Sequence, residues 1–234
     1  MIGNPWRVMI FSRSKKDAFA DQVALARIGA SVRARLDANP AVYKLPVETA
    51  EIYAMGGFLT VGECFRMVAM IDSVALPSTL FAESHIPGYR TSYSGHLDRA
   101  DSQVRMIERR IDDLLGMEPE WGETVQGQRY QPGQEYKQHV DWFHTDSGYW
   151  KEERKLGGQR SWTAMAYLND IEEGGQTSFI SAGVSITPQK GALLIWNNAM
   201  PDGQPNQMTL HAGMPPVQGT KYVLTKWYRT RKWG

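Results

Sequence analysis

From Trp121 to Tyr228 the chain is cut into short extended runs: Glu123–Tyr130, Tyr136–Asp141, Ser161–Leu168, Thr177–Phe179, Ala192–Trp196 and Lys221–Tyr228. Gly, Pro and Asn turns divide them, and no other feature restricts the fold as much. A single strand this short cannot bury a core, and many of them at close spacing predict a sandwich or jelly roll. The helical periods come earlier. Leu25, Ile28, Val32 and Leu36 recur at three and four residues within Asp17–Asp37, and Asn39-Pro40 closes that segment. After a short strand at Glu51–Phe58, Thr60-Val61-Gly62-Glu63 reads as a capping box. It opens a helix that turns Cys64, Met67, Val68, Ile71 and Ala75 inward and stops at Pro77. Asp101–Leu115 repeats the pattern with Val104, Ile107, Ile111 and Leu114, and Gly116 ends it. Helices before strands predict one α+β domain, mainly β in its core, with the helices bracing a sheet from outside. Residues 1–46 are expected as a helical extension and 47–234 as the main domain, its β core at about 121–230.

Two segments break the periodicity. Ser84–Asp98 is rich in Gly, Ser and Tyr and reads as a connection or a flap over a site; its His85 and His96 have no partner at metal-ligand spacing. Thr145–Gln159 reads as a second flexible loop, with Trp142 and the Tyr149-Trp150 pair near its start. Its charged run from Lys151 to Lys155 reads as a solvated face.

Composition excludes more than it selects. The 26 Lys+Arg against 25 Asp+Glu leave no global field toward nucleic acid or a membrane surface. A lone Cys64, inside an apolar helical period, excludes an intramolecular disulfide framework and a Cys-based zinc site. No stretch approaches the roughly 18 apolar residues of a membrane span. The start, MIGNPWRVMIFSRSKK, lacks a signal-peptide core, so a reducing cytoplasm is the expected setting.

Chemistry concentrates in QRYQPGQEYKQHVD, Gln128–Asp141. In an extended segment His139 and Asp141 project from the same face, and an imidazole beside a carboxylate suits a divalent metal such as Fe(II). His211, in TLHAG, is the best third ligand; two His and one carboxylate on one face of an octahedral ion leave three positions open. Lys221 begins the last strand, where Lys221, Val223, Thr225 and Trp227 share a face. If that face is internal, its ammonium needs an anion to meet it, such as a dicarboxylate co-substrate. Thr163, Met165 and Tyr167 share a face of their own strand, so a hydroxyl and a phenol could reach the same carboxylate. Tyr130 faces alongside Gln128.

The stretches RYQPGQEYKQHVDWF, RSWTAMAYLNDIEEGGQTSF, KGALLIWNN, PDG and TLHAGMPPVQGTKYVLTKWYR, in that order, resemble the prolyl 4-hydroxylase group of Fe(II)/2-oxoglutarate-dependent oxygenases. The resemblance covers about Ala50 to Trp233, including RTSYSGHL. It implies a double-stranded β-helix, with Fe(II) held by His139, Asp141 and His211. It also implies that Lys221 pairs with the distal carboxylate of 2-oxoglutarate, helped by Thr163 and Tyr167, with Tyr130 near the co-substrate. Tyr136, Arg160 and Trp227 match substrate-pocket positions, and Glu173–Thr177 match the turn and strand facing the metal. Lys rather than Arg at 221 favours this branch, and a carboxylate at 141 favours hydroxylation over halogenation. The implied reaction hydroxylates a prolyl residue in a peptide or protein, using molecular oxygen, releasing succinate, with ascorbate as reductant. A free amino acid or small metabolite as substrate, and a non-catalytic metal-binding jelly roll, are the alternatives. The basic, aromatic Lys226–Trp233 segment could suit nucleic acid, but half of it belongs to the last strand and the chain as a whole is neutral. Oligomeric state stays open, a homodimer included.

Overall fold

A computed structural model of the chain describes residues 16–79 and 87–234. Among the described residues the α-helices are α1 Lys16–Asp37, α2 Val61–Val74, α3 Ser102–Leu115 and α4 Trp150–Lys155. The strands are β1 Tyr43–Lys44, β2 Ile52–Met55, β3 Leu76–Pro77, β4 Tyr93–His96, β5 Gln126–Tyr130 and β6 Tyr136–His139. They continue with β7 Arg160–Tyr167, β8 Thr177–Phe179, β9 Val184–Ile186, β10 Leu193–Asn197, β11 His211–Gly213 and β12 Lys221–Arg229. They form an eight-stranded sheet in the order β1-β2-β10-β7-β12-β5-β4-β3 and a four-stranded sheet in the order β6-β11-β8-β9. All pairings are antiparallel. This is the expected jelly roll.

The central strands of the large sheet are buried on both faces, so each is a near-continuous apolar run whose alternate residues enter different cores. Trp162, Ala164 and Ala166 of β7 and Leu224 and Tyr228 of β12 join one cluster with Ile28, Met67, Ile71, Val104 and Ile107 from the helices. Met165, Tyr167 and Val223, from the opposite parity, join Phe179 of the small sheet in a second cluster between the sheets. Strand parity therefore sends Lys221 and Thr225, which share a face with Val223, into the space between the sheets. Lys226 goes to the helical side, where Asp112 and Glu108 meet its ammonium at 2.7 and 3.5 Å.

The helix signals hold in detail. Thr60 and Glu63 complete the capping box of α2. Asp101 caps α3, which ends at Gly116 in the left-handed region, φ 66°. Other expectations need correction. Helix α1 is no appended extension: Ile28, Val32 and Leu36 belong to the helical-side core. Asp21 accepts hydrogen bonds from Gln159 N, Thr230 Oγ1 and Arg231 Nη1, tying α1 to the last strand's end. Residues 1–15 of that segment, and His85, lie outside the described residues. The Ser84–Asp98 stretch supplies a strand, β4, because it pairs with β5 beneath α2. Gly95 and Gly127 are Cα partners there. A Cβ on Gly127 would come within 2.3 Å of Ile71, and one on Gly95 within 2.6 Å of the Val74 carbonyl. The helix can cross these two strands only where side chains are missing. Likewise Thr145–Gln159 contains α4, pinned by buried Trp150 and by an Arg229–Glu153 pair at 2.5 Å. Cys64 is buried in the core. Among the described residues no helix is long and apolar enough to cross a membrane.

Candidate metal centre and co-substrate pocket

Strands β6 and β11 pair so that His139 and His211 stand directly opposite one another, and Asp141 follows β6 after one residue. One ligand atom from each of the three lies within 4.8 Å of the others. The Nδ1 of His139 sits 2.8 Å from the Lys137 carbonyl and that of His211 2.9 Å from the Thr209 carbonyl. A carbonyl can only accept, so each Nδ1 carries the proton and each Nε2 keeps a free lone pair for a metal. Tyr136 stacks on the His139 ring at 3.5 Å and 12°. The Arg90 guanidinium lies 4.6 Å above Tyr136. Trp196 and Phe179 flank His211 at 5.0 and 5.3 Å. Both histidine rings are thus held by packing as well as by hydrogen bonds.

Burial works against charge here. It is the main reason His139 titrates well below the ordinary imidazole range, with the neighbouring His211 adding to the effect. Burial also pushes Asp141 upward, but His211, His139, Arg160 and the Thr163 hydroxyl together hold it below the usual carboxylate value. A neutral His139 beside an ionised Asp141 suits a divalent ion, which binds the unprotonated imidazole and the carboxylate. The donor set, two imidazole nitrogens and one carboxylate oxygen, fits Fe(II).

Beyond the triad the sheets enclose a cavity of about 390 Å³, counting its opening to solvent. Lys221, 1% exposed, lies at its inner wall with Tyr130 and Thr177. Its ammonium is 5.3 and 5.7 Å from the Tyr130 and Tyr167 rings and, among the described residues, hydrogen-bonds the Thr177 hydroxyl alone, at 3.4 Å. Among the described residues no carboxylate stands within 4 Å of it. Burial alone depresses its pKa to about 7. Lys226, five residues on and equally buried, has two acids. The contrast identifies Lys221 as a cation waiting for an anion from outside the chain. Tyr167 donates to Thr177 Oγ1 at 2.8 Å, and burial raises the pKa of this phenol, so it stays protonated as a donor. Opposite, Gln128 accepts from the Tyr130 phenol at 2.7 Å and donates to Thr225 Oγ1 at 3.2 Å, making one polar wall.

Tyr130, Tyr136 and Trp227 line the cavity. One of the expected co-substrate residues sits elsewhere. Thr163 does not face Lys221: its hydroxyl donates to Asp141 Oδ2 at 2.7 Å, and Thr177 is the hydroxyl beside the lysine. The reason is lateral position: Thr163 is paired with Trp227 near the metal end of β7, whereas Tyr167, four residues on, lies near Lys221. Arg160 forms a two-pronged pair with Glu123 at 2.7 and 2.8 Å, stands 4.1 Å from the Trp227 ring centroid, and is close enough to Asp141 to help hold its carboxyl ionised. Thr177 could have been singled out by parity, since it shares a face of its strand with buried Phe179. Glu123 had no signal in sequence, because its partners Arg160 and Arg229 are remote in the chain.

A jelly roll holding two histidines and one carboxylate, with a buried lysine that lacks a carboxylate partner on the same cavity wall, is the architecture of a 2-oxoglutarate-dependent, Fe(II)-dependent oxygenase. The family described as 2OG-Fe(II) oxygenase superfamily matches residues 125–229. Prolyl 4-hydroxylase 5 of Arabidopsis thaliana is 34% identical over 200 residues, 75% of this chain and 67% of that protein. Prolyl 4-hydroxylase subunit alpha-1 of Gallus gallus is 35% identical over 145 residues, 61% of this chain and 28% of that one. Among solved structures, the viral collagen prolyl hydroxylase of Paramecium bursaria Chlorella virus-1, in its 2-oxoglutarate complex, superposes with a TM-score of 0.60. It is 27% identical, over 75% of this chain and 94% of its own. The chain belongs to the prolyl 4-hydroxylase family of Fe(II)- and 2-oxoglutarate-dependent dioxygenases.

Proposed function

We propose that this chain hydroxylates a prolyl residue within a peptide or protein, coupling that step to decarboxylation of 2-oxoglutarate to succinate. The observation that carries the reading is the buried Lys221, with no carboxylate partner among the described residues, on the wall of the same cavity as the histidine pair. An anionic end group bound there by Lys221, Thr177 and Tyr167 would direct the other end of a short dicarboxylate toward the triad. His139 Nε2, Asp141 Oδ1 and His211 Nε2 would hold Fe(II). Bound there, the metal supplies the oxidising power for C–H hydroxylation with molecular oxygen. The chain's own contribution is orientation. Tyr136 and Trp227, rigid aromatics on the cavity wall, would hold the substrate ring beside the triad, and the Arg160 guanidinium, 4.1 Å from the Trp227 ring, braces that indole. Ascorbate would serve as the reductant that returns the metal to the ferrous state. The names of the relatives support proline as the target, and the cavity's opening to solvent supports a residue presented on a longer chain.

The test is succinate release that requires Fe(II) and rises several-fold when a proline-containing peptide is added. Mass spectrometry of cell extracts treated with the native protein and with His139→Ala then identifies the hydroxylated target. Turnover coupled to free amino acids or small metabolites, with none on prolyl peptides, would refute the substrate while sparing the oxygenase.

A further inference from the structure

Asp141 presents its two oxygens differently. Oδ1 is turned toward the ligand set, 3.9 Å from His139 Nε2, while Oδ2 accepts from Thr163 Oγ1 at 2.7 Å. Thr163 is in turn met by Asn198, whose Nδ2 donates to Oγ1 at 3.0 Å. A hydroxyl has a single proton. With Asn198 filling a lone pair, that proton is left for Asp141. Thr163 is fully buried and Asn198 1% exposed, so water does not offer the hydroxyl another partner. Asn198 is itself pinned by backbone bonds, its own N to the Ser161 carbonyl at 2.8 Å and Asn206 N to its carbonyl at 3.0 Å. Asn206 leads through Thr209, whose hydroxyl donates to the Asn206 carbonyl at 2.7 Å, to the carbonyl that orients His211. One connected set of bonds therefore braces the carboxylate and one imidazole together.

We infer that Thr163 and Asn198 are positioning residues that hold Asp141 to single-oxygen ligation, so that a bound metal keeps three positions for co-substrate and oxygen. The inference rests on the metal reading above. An octahedral ion with three protein donors has room for a chelating 2-oxo acid and one further ligand. If Asp141 turned to offer both oxygens, one of those positions would be taken. Occupying Oδ2 with a directed hydrogen bond removes that option, and Asn198 prevents the hydroxyl from turning away. Neither residue needs to touch substrate or co-substrate for this.

Mn(II) titration of the metal-free protein, followed by electron paramagnetic resonance, measures the effect without turnover. The anaerobic absorption band of a 2-oxoglutarate–Fe(II) chelate provides a second readout. Thr163→Val should weaken Mn(II) binding by about 10–100-fold, the usual cost of losing a partner that orients a ligand, and should diminish the chelate band. Thr163→Ser, which keeps the hydroxyl and loses only a methyl, should stay within about threefold of the native protein. Asn198→Leu should fall between them, and it decides the matter if the valine variant does not fold. Native-like Mn(II) binding and chelate band in Thr163→Val or, failing that variant, in Asn198→Leu overturn the inference. So does a serine variant as impaired as the valine one, since packing would then be the cause. Failure of the native chain itself to bind Mn(II) would sink the metal reading instead, a separate result.

Discussion

Replacing Lys221 with Met should stabilise the metal-free, ligand-free chain while destroying its affinity for 2-oxoglutarate. The lysine's pKa falls from 10.5 to about 7 through burial alone. At 1.36 kcal/mol for each factor of ten, holding this lysine charged in the fold costs on the order of 5 kcal/mol below pH 7. The unfolded chain binds more protons than the folded one between pH 7 and 10.5. Stability therefore rises with pH across that window, and the cost is gone once the lysine is neutral in both states. Methionine has similar length and no charge. Allowing for imperfect packing and for the lost 3.4 Å bond to Thr177, the gain at pH 6 should be about 3 kcal/mol. For a chain of this size that is roughly 6–12 °C in Tm. Thermal melts at pH 6, 8 and 10 measure it, and the gain should shrink toward pH 10. Saturating 2-oxoglutarate, in the presence of Mn(II), should raise the Tm of the native chain and leave Lys221→Met unmoved. Affinity for the dicarboxylate should also weaken as pH rises above 7, because the neutral amine must take up a proton to pair with it. A Met variant that melts lower at pH 6, or a gain that does not change with pH, would refute the assignment of Lys221 as an uncompensated cation.

Thr177→Val removes the hydroxyl shared by Tyr167 and Lys221. It should raise the Kd for 2-oxoglutarate about tenfold while Mn(II) affinity stays unchanged, as read by calorimetric titration of each. Gly127→Ala brings a Cβ to within 2.3 Å of Ile71 beneath α2. Overpacking of this kind should cost about 1–3 kcal/mol, measured by urea denaturation, with metal binding retained.

Much of the site was legible because it depends on short periods. Alternation along an extended segment puts His139 and Asp141 on one face, and sets Lys221 and Trp227 on one face of the last strand with Lys226 on the other. The capping box at Thr60 and Glu63 and the stop at Gly116 are equally local, since each is decided by backbone groups within four residues. The same rule of alternation could not distinguish Thr163 from Thr177. Both face the interior, and which of them meets Asp141 and which meets Lys221 depends on how far along the sheet each lies. Strand β4 had no apolar alternation to reveal it; it exists because β5 offers a free edge and α2 fits across paired glycines. The Glu123 partner of Arg160, thirty-seven positions earlier in the chain, likewise left no local signal. The sequence by itself determined which residues of each strand share a face, because the alternation of side chains follows from backbone geometry alone. Only the tertiary structure decided which internal groups meet, because hydrogen bonds and ion pairs act over a few ångströms in space, and separation along the chain does not set that distance.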